Sequence, residues 1–229
     1  GLFTFDGANE ASIGVPAADG PYWWSNRGDG VDTRLTREVD LTGLMAATLR
    51  FRAWYDIERG WDYAYVAASE DGGKTWRALP GQKTTGYNPV EAAYGPGYTG
   101  KSYQWVPEEV DLSVYAGKKV LLGFEYVTDD ASSFTGMAVD DIEIPELAFS
   151  DRADSDNGWS AEGFIRVTEP PKQEFVVQVI EEGKEPKVTR VALDASNRGE
   201  ITLDRPAVIG ISGATRGTAE AAPYRWTFR

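Results

Sequence analysis

The sequence of 229 residues contains no histidine and no cysteine. Without histidine the chain cannot form a Ser-His-Asp triad, a Cys-His dyad or an HExxH zinc site. Without cysteine it has no thiolate nucleophile, iron–sulfur cluster or disulfide framework. Any catalysis would therefore rest on carboxylate, Lys, Tyr, Ser or Thr side chains, and we expect no zinc in this chain.

Basic residues and long apolar runs are also scarce. Lys and Arg number 23 against 36 Asp and Glu, which gives a formal net charge of −13. An acidic chain is a poor partner for nucleic acid or anionic lipid, whereas its carboxylates suit calcium or simply maintain solubility. No stretch approaches the roughly 18 apolar residues of a membrane span. We therefore expect no nucleic-acid partner and no membrane span.

The beginning of the chain carries no visible signal peptide. It opens directly on a strand-like run, residues 2–5. We expect the chain to be part of a longer precursor whose targeting segment lies upstream.

Aromatic residues are plentiful, with 8 Trp and 11 Tyr. Many lie in short runs of alternating or continuous apolar residues bounded by Gly, Pro, Asn and Asp, which is typical of strands. The clearest runs are 48–55, 63–69, 119–127, 137–144, 174–180, 188–193 and 207–211. Convincing helical periodicity is absent, so the sequence predicts an all-β fold.

The composition changes after Pro145. Residues 150–157 are polar, acidic and rich in turn formers, as in a linker, and strand-like runs resume beyond them. We predict a β-sandwich over 1–147, a linker over 148–157 and a small immunoglobulin-like β-sandwich over 158–229.

One short motif has a defined local geometry. Residues 69–76 match the Ser-x-Asp-x-Gly-x-Thr-Trp pattern of an Asp-box. Asp71 is expected to accept hydrogen bonds from turn amides, Gly72 and Gly73 to adopt positive φ, and Trp76 to fold onto the next strand. A propeller needs many such copies, so this single copy is interpreted as a structural turn.

Several blocks of the sequence, in the same order, resemble the post-catalytic region of secreted bacterial metalloproteases of the immune inhibitor A type. The blocks are 24–25, 28–29, 35–37, 39–41, 56–76 and 139–142, with weaker likeness through 162–166 and 175–180. The resemblance implies a jelly-roll first domain, similar to MAM domains and to calcium-bearing carbohydrate-binding modules. It also implies a secreted or cell-surface bacterial protein. The HExxH motif of the family is absent here, so the resemblance places catalysis upstream and transfers no catalytic residue.

The same resemblance implies a structural calcium ion. In such jelly rolls the first and last strands lie side by side, and their acidic residues share the ion. The corresponding positions here are Asp6, Asp140 and Asp141, although the family pattern usually has Glu at the first of them. The alternative is that Asp140 and Asp141 accept hydrogen bonds from turn amides or pair with Arg.

Aromatic residues in two segments are candidates for ligand binding. Trp23 and Trp24 are adjacent on a predicted loop, and a long irregular segment, 81–102, contains Tyr87, Tyr94 and Tyr98. Such residues can stack on sugars or hold an apolar peptide. The alternative is that they pack in the core or cover a sheet.

Three functions are open at this point. The first is a non-catalytic accessory region that stabilises its own upstream protease domain or positions substrate. The second is a carbohydrate-binding module, with an extracellular glycan or protein as partner. The third is a stand-alone hydrolase that uses carboxylates alone.

Overall fold

A computed structural model describes residues 1–183 and 185–229. About 48% of the residues are in strands and 3% in helical turns, which confirms the all-β prediction. The chain divides into a larger unit, Val15–Glu169, and a smaller unit made of Gly1–Gly14 and Pro170–Arg229. Among the described residues, no helical segment has the length and apolarity needed to cross a membrane.

The larger unit is a sandwich of two antiparallel sheets. The strands of the first sheet are β2 (Tyr22–Trp24), β4 (Thr48–Ile57), β7 (Gly100–Lys101), β8 (Val106–Asp111), β10 (Gly136–Ile144), β11 (Phe149–Asp151) and β13 (Ile165–Val167). Strands β13, β2, β10 and β4 lie in that order, β11 pairs with β10, and both β7 and β8 pair with β4.

The strands of the second sheet of the larger unit are β3 (Asp32–Asp40), β5 (Tyr63–Ser69), β6 (Arg77–Leu79), β9 (Lys119–Val127) and β12 (Ser160–Glu162). They lie in the order β12-β3-β9-β5-β6. Two 3₁₀ turns, Ser113–Tyr115 and Pro145–Leu147, complete the larger unit.

Alternating side chains explain how the two sheets form one core. In β4 the even positions Arg50 and Arg52 are more exposed, whereas Leu49 and Phe51 are buried. Phe51 meets Phe124 of β9 with ring centroids 5.0 Å apart in an edge-to-face contact. This contact joins the inner faces of the two sheets.

Strand β5 departs from alternation because all seven of its residues are buried. Its outer face is covered by the long segment 81–102, where Tyr94 lies over Tyr65 with ring centroids 6.1 Å apart. The Tyr65 hydroxyl accepts a hydrogen bond from the Tyr94 amide at 3.1 Å. The segment is therefore packed against the sheet rather than free in solvent.

The predicted linker over 148–157 is wrong. Strand β11 pairs with β10 within this stretch, and Asp151 and Ala153 are buried in the larger unit. Asp151 accepts hydrogen bonds from the Ala153 amide at 3.0 Å and from Trp23 Nε1 at 3.4 Å. Polar composition suggested a linker, but these partners make buried carboxylate oxygens stable inside the unit.

The smaller unit contains two three-stranded sheets, β16-β1-β18 and β15-β14-β17. Its strands are β1 (Leu2–Gly7), β14 (Phe175–Glu181), β15 (Lys187–Arg190), β16 (Arg198–Thr202), β17 (Ala207–Gly213) and β18 (Tyr224–Phe228).

The first strand thus belongs to the second predicted domain, so the boundaries 1–147 and 158–229 need correction. β1 lies between β16 and β18 and pairs with both. Phe3 and Phe5 are buried with Phe175 and Val177, and the rings of Phe5 and Phe175 are 5.1 Å apart. Removing these aromatic rings from water fixes β1 in this unit.

Candidate functional site

The strand arrangement predicted for the calcium residues is wrong. Asp6 lies on β1, which pairs with β16 and β18, while the neighbours of β10 are β2, β4 and β11. The Asp6 carboxylate instead lies 3.2 Å from Arg198 and 3.6 Å from Arg225. These exposed ion pairs give its two oxygens guanidinium partners.

Asp140 and Asp141 adopt the alternative arrangement considered from the sequence. Asp140 is buried, and its Oδ1 accepts a hydrogen bond from the Asp141 amide at 2.7 Å. Burial raises the pKa of Asp140 above its ordinary value. Asp141 has a φ of 48° and lies 3.6 Å from both Arg52 and Arg152. The pair therefore has a backbone donor and two guanidinium groups as partners.

The adjacent tryptophans are core residues and not part of a binding face. Trp23 and Trp24 are each 3% exposed. Trp24 Nε1 donates a hydrogen bond to the carbonyl of Thr135 at 2.8 Å. Both lie on β2, whose two edges pair with β10 and β13. This corrects the prediction that they bind ligand.

The three tyrosines of segment 81–102 differ in their exposure to solvent. Tyr98 is fully buried, and its hydroxyl donates a hydrogen bond to Glu108 Oε2 at 3.1 Å, so it is a core residue. Tyr87 and Tyr94 are exposed by 46% and 77%. Arg59 lies over the Tyr87 ring at 4.9 Å. Only Tyr87 and Tyr94 keep the accessible rings that ligand binding requires.

A buried carboxylate anchors this segment. Glu108 on β8 accepts hydrogen bonds from the amides of Gln82 and Lys83, both at 2.7 Å, in addition to the Tyr98 hydroxyl. It also accepts one from the Glu109 amide at 2.8 Å. Charged acceptors make strong hydrogen bonds, so the start of the segment is held firmly to β8.

The Asp-box forms the predicted turn between β5 and β6. Asp71 accepts hydrogen bonds from the Thr75 amide at 2.9 Å and the Thr75 hydroxyl at 2.7 Å. These bonds lower the pKa of Asp71 to about 2. Gly72 and Gly73 have φ values of 72° and 89°, and Trp76 Nε1 donates to the Gly73 carbonyl at 3.1 Å. The side chains of Asp71, Thr75 and Trp76 all form hydrogen bonds within the turn, which confirms the structural interpretation.

A different acidic cluster lies where β4, β5 and β9 meet. Glu58 follows β4, Asp62 precedes β5 and Asp129 follows β9. One carboxylate oxygen from each lies within 4.8 Å of the other two. Asp62 is fully buried, whereas Glu58 and Asp129 are half-buried.

The electrostatics of this acidic cluster are unfavourable for the ionised form of Asp62. Burial raises the pKa of Asp62 to about 6, and the nearby charges of Asp129, Glu58 and Asp29 add to the increase. The Asp129 amide opposes it by donating a hydrogen bond to Asp62 Oδ1 at 2.9 Å. Carboxylates this close repel each other unless a proton or a cation lies between them.

Sequence reasoning did not nominate this acidic cluster. Residues 56–62 served only as part of a family block, and the Asp129-Asp130 pair is one of many acidic pairs in an acidic chain. The sequence carries one local indication of the acidic cluster: acidic residues lie at both ends of a short turn containing Gly60. Only the pairing of β5 with β9 brings Asp129 to the same place.

The larger unit is similar to domains of known proteins. The family described as "Immune inhibitor A-like, MAM domain" matches residues 8–169, and the match ends where the larger unit ends. The pre-pro-metalloprotease PrtV of Vibrio cholerae serotype O1 (strain ATCC 39315 / El Tor Inaba N16961) is 34% identical over 157 residues, which cover 67% of this chain and 16% of that protein.

Two further relatives are also longer proteins, and this chain matches only a small part of each. Immune inhibitor A of Bacillus thuringiensis subsp. alesti is 34% identical over 170 residues, 71% of this chain and 23% of that protein. Bacillopeptidase F of Bacillus subtilis (strain 168) is 29% identical over 98 residues, 43% of this chain and 6% of that protein. The chain thus spans less than a quarter of the length of the relatives it matches.

Proposed function

The chain belongs to the immune inhibitor A-like MAM domain family, and from this membership we propose that it is a non-catalytic accessory region of a secreted bacterial metallopeptidase. The observation that carries the proposal is the family match over residues 8–169 in a sequence without His or Cys. Zinc proteases of the HExxH type need two His ligands. In such a protein the catalytic zinc would have to be bound by residues outside this chain.

The role we propose for this region is to stabilise the protease domain or to position macromolecular substrate. The anchored segment 81–102 supports the positioning role, because it presents Tyr94 and Tyr87 from a fixed backbone. Tyrosine is common in protein-binding surfaces, since it offers a large rigid contact area at low entropic cost.

The test is deletion of this region from the full-length precursor that contains it. We expect the precursor to carry an HExxH domain upstream. If the region positions substrate, deletion lowers kcat/KM for a folded protein substrate and leaves kcat/KM for a short peptide unchanged. If it stabilises the protease, deletion lowers the melting temperature and leaves both rates unchanged below that temperature.

Two results would contradict the proposal. One is a precursor without any HExxH domain. The other is hydrolysis of casein by the isolated chain in the presence of EDTA, which would show a metal-independent activity within these residues.

A carbohydrate-binding module is the second candidate, and the exposure of Tyr94 favours it. Aromatic rings on a fixed loop can stack on sugar rings. A glycan array probed with the isolated chain and with Tyr94→Ala tests this function, and Tyr103→Ala is the matched control because Tyr103 is 85% exposed beyond that segment. Binding that is lost only in Tyr94→Ala supports the candidate, and no glycan binding by the unaltered chain rejects it.

A further inference from the structure

We propose that Glu58, Asp62 and Asp129 bind one Ca²⁺ ion at one end of the larger unit. The site is distinct from the residues that the family resemblance suggested, Asp140 and Asp141. It is built from three chain segments that the fold brings together.

The backbone around the acidic cluster is well defined. Residues 58–62 form a tight turn in which the Asp62 amide donates to the Glu58 carbonyl at 3.1 Å and Gly60 has a φ of 84°. The Gly60 amide donates to Thr99 Oγ1 at 2.8 Å, and the Thr99 hydroxyl donates to the Glu58 carbonyl at 3.0 Å. The ligand-bearing turn is therefore fixed by the chain itself.

The second observation is an unpartnered acceptor inside the acidic cluster. Asp62 is fully buried, and its Oδ2 has no hydrogen-bond partner among residues 1–183 and 185–229. In the described part of the chain the Tyr126 hydroxyl is also buried without a partner, and burial together with the charge of Asp62 raises its pKa. A buried carboxylate oxygen without a donor is costly, so a native structure normally supplies one or a cation.

Within the described residues, no side-chain cation fills that role. Among residues 1–183 and 185–229, no Lys or Arg nitrogen lies within 4 Å of the carboxylates of Glu58, Asp62 or Asp129. Arg59, the basic residue of the turn, lies over the Tyr87 ring instead. The charge of the acidic cluster is consequently left for an ion from solution, which can enter past the half-buried Glu58 and Asp129.

The donor set selects calcium. All three ligands are carboxylates, and hard oxygen donors of this kind prefer Ca²⁺ or Mg²⁺ to transition metals. Two oxygens around a calcium ion can be up to about 5 Å apart, because Ca–O distances are about 2.3–2.6 Å, whereas Mg–O distances near 2.1 Å allow only about 4.2 Å. The three carboxylate oxygens lie within 4.8 Å of one another, and Ca–O distances can bridge any separation up to that limit.

Binding would connect three loops at the same end of the sandwich. Glu58 and Asp62 belong to the β4–β5 turn, and Asp129 belongs to the β9–β10 loop. The Asp129 carbonyl also accepts a hydrogen bond from the Gly30 amide in the β2–β3 loop. An ion here would therefore stiffen all three connections and add stability to the larger unit.

The experiment is thermal unfolding of the EDTA-treated full chain, with CaCl₂ or MgCl₂ added. With calcium at about 100 times its Kd, we expect the melting temperature of the larger unit to rise by roughly 5–10 °C, and less with magnesium. Asp62→Asn and Asp129→Asn should each remove most of the rise. Glu58→Gln, at a half-buried position, replaces Asp62→Asn if that variant does not fold.

The matched control is Asp141→Asn. It makes the same chemical change at the previously suggested calcium position, and Asn tolerates the positive φ found there. We expect this variant to keep the full calcium-dependent rise. Terbium luminescence excited through Tyr126 gives a second readout, which calcium should quench by competition in the unaltered chain and which should be absent from Asp129→Asn.

Three results would overturn the proposal. They are a melting temperature that does not respond to calcium, an equal rise with magnesium, and a calcium response that is lost in Asp141→Asn but kept in Asp129→Asn.

Discussion

At the scale of single residues, burial decides which polar and aromatic groups maintain the fold and which remain free for a partner. Trp24 and Tyr94 are both aromatic and both lie in predicted loops, yet one is 3% and the other 77% exposed. Trp24 lies on β2 between two paired strands and donates its indole N–H to the Thr135 carbonyl, whereas Tyr94 lies over Tyr65 on the outer side of β5.

Glu108 gives the clearest prediction at this scale. Glu108→Ala removes the acceptor for two amides of segment 81–102 and for the buried Tyr98 hydroxyl. Because each unsatisfied buried donor costs about 1–3 kcal/mol, we expect the free energy of unfolding to fall by about 3 kcal/mol or more. Urea unfolding followed by tryptophan fluorescence measures the loss.

The neighbouring carboxylate is the control for this measurement. Glu109 pairs with Arg50 at 2.8 Å, and about half of each side chain is exposed. Glu109→Ala should therefore cost less than about 1 kcal/mol. Equal losses in the two variants would mean that the buried hydrogen bonds of Glu108 contribute nothing special to the segment.

At the scale of elements, the hairpin between β5 and β6 was predictable because residues close together in the sequence determine its geometry. Ser69, Asp71 and Thr75 hydrogen-bond one another within seven residues, and two glycines supply the positive φ. Strand β1 has no such local specification. Its alternating Phe residues fit any sheet with an apolar face, so its partners could not be predicted.

The Asp71 hydrogen bonds predict a pH dependence for this hairpin. The folded-state pKa of Asp71 is about 2, below the ordinary value of 3.8, so the unfolded chain binds more protons between these values. The stabilisation is therefore fully present above the unfolded-state pKa and is lost as the pH falls through about 2. Asp71→Asn lacks this titration.

Urea unfolding of the two proteins at several pH values measures this effect. We expect the stability advantage of the unaltered chain over Asp71→Asn to shrink as the pH falls from about 5 to about 2. Glu70→Gln is the control, because it removes a neighbouring half-exposed carboxylate that pairs with Lys118 and not with the turn. An advantage that stays constant over this range would show that the charge of Asp71 does not act through the turn.

At the scale of the whole molecule, the division into units has a direct consequence for truncated chains. Residues 15–169 contain both sheets of the larger unit, so we expect this segment to fold alone. Residues 170–229 lack β1, the central strand of one sheet, and the buried rings of Phe3 and Phe5. We therefore expect them to remain unfolded without residues 1–14.

Near-ultraviolet circular dichroism of the separate segments tests this division. A fixed aromatic signal is expected from residues 15–169 and not from 170–229, and a synthetic peptide of residues 1–14 should restore it in the latter. A folded 1–147 segment together with a folded 158–229 segment would instead support the boundaries predicted from composition.

The sequence alone determined the all-β class, the Asp-box turn and the family, because strand alternation, turn chemistry and block order are local or linear properties. Tertiary structure decided the rest: the unit to which β1 belongs, the burial of Trp23, Trp24 and Tyr98, and the meeting of Glu58 and Asp62 with Asp129. These depend on contacts between residues far apart in the chain, where the burial of apolar surface selects one pairing among several that alternation permits.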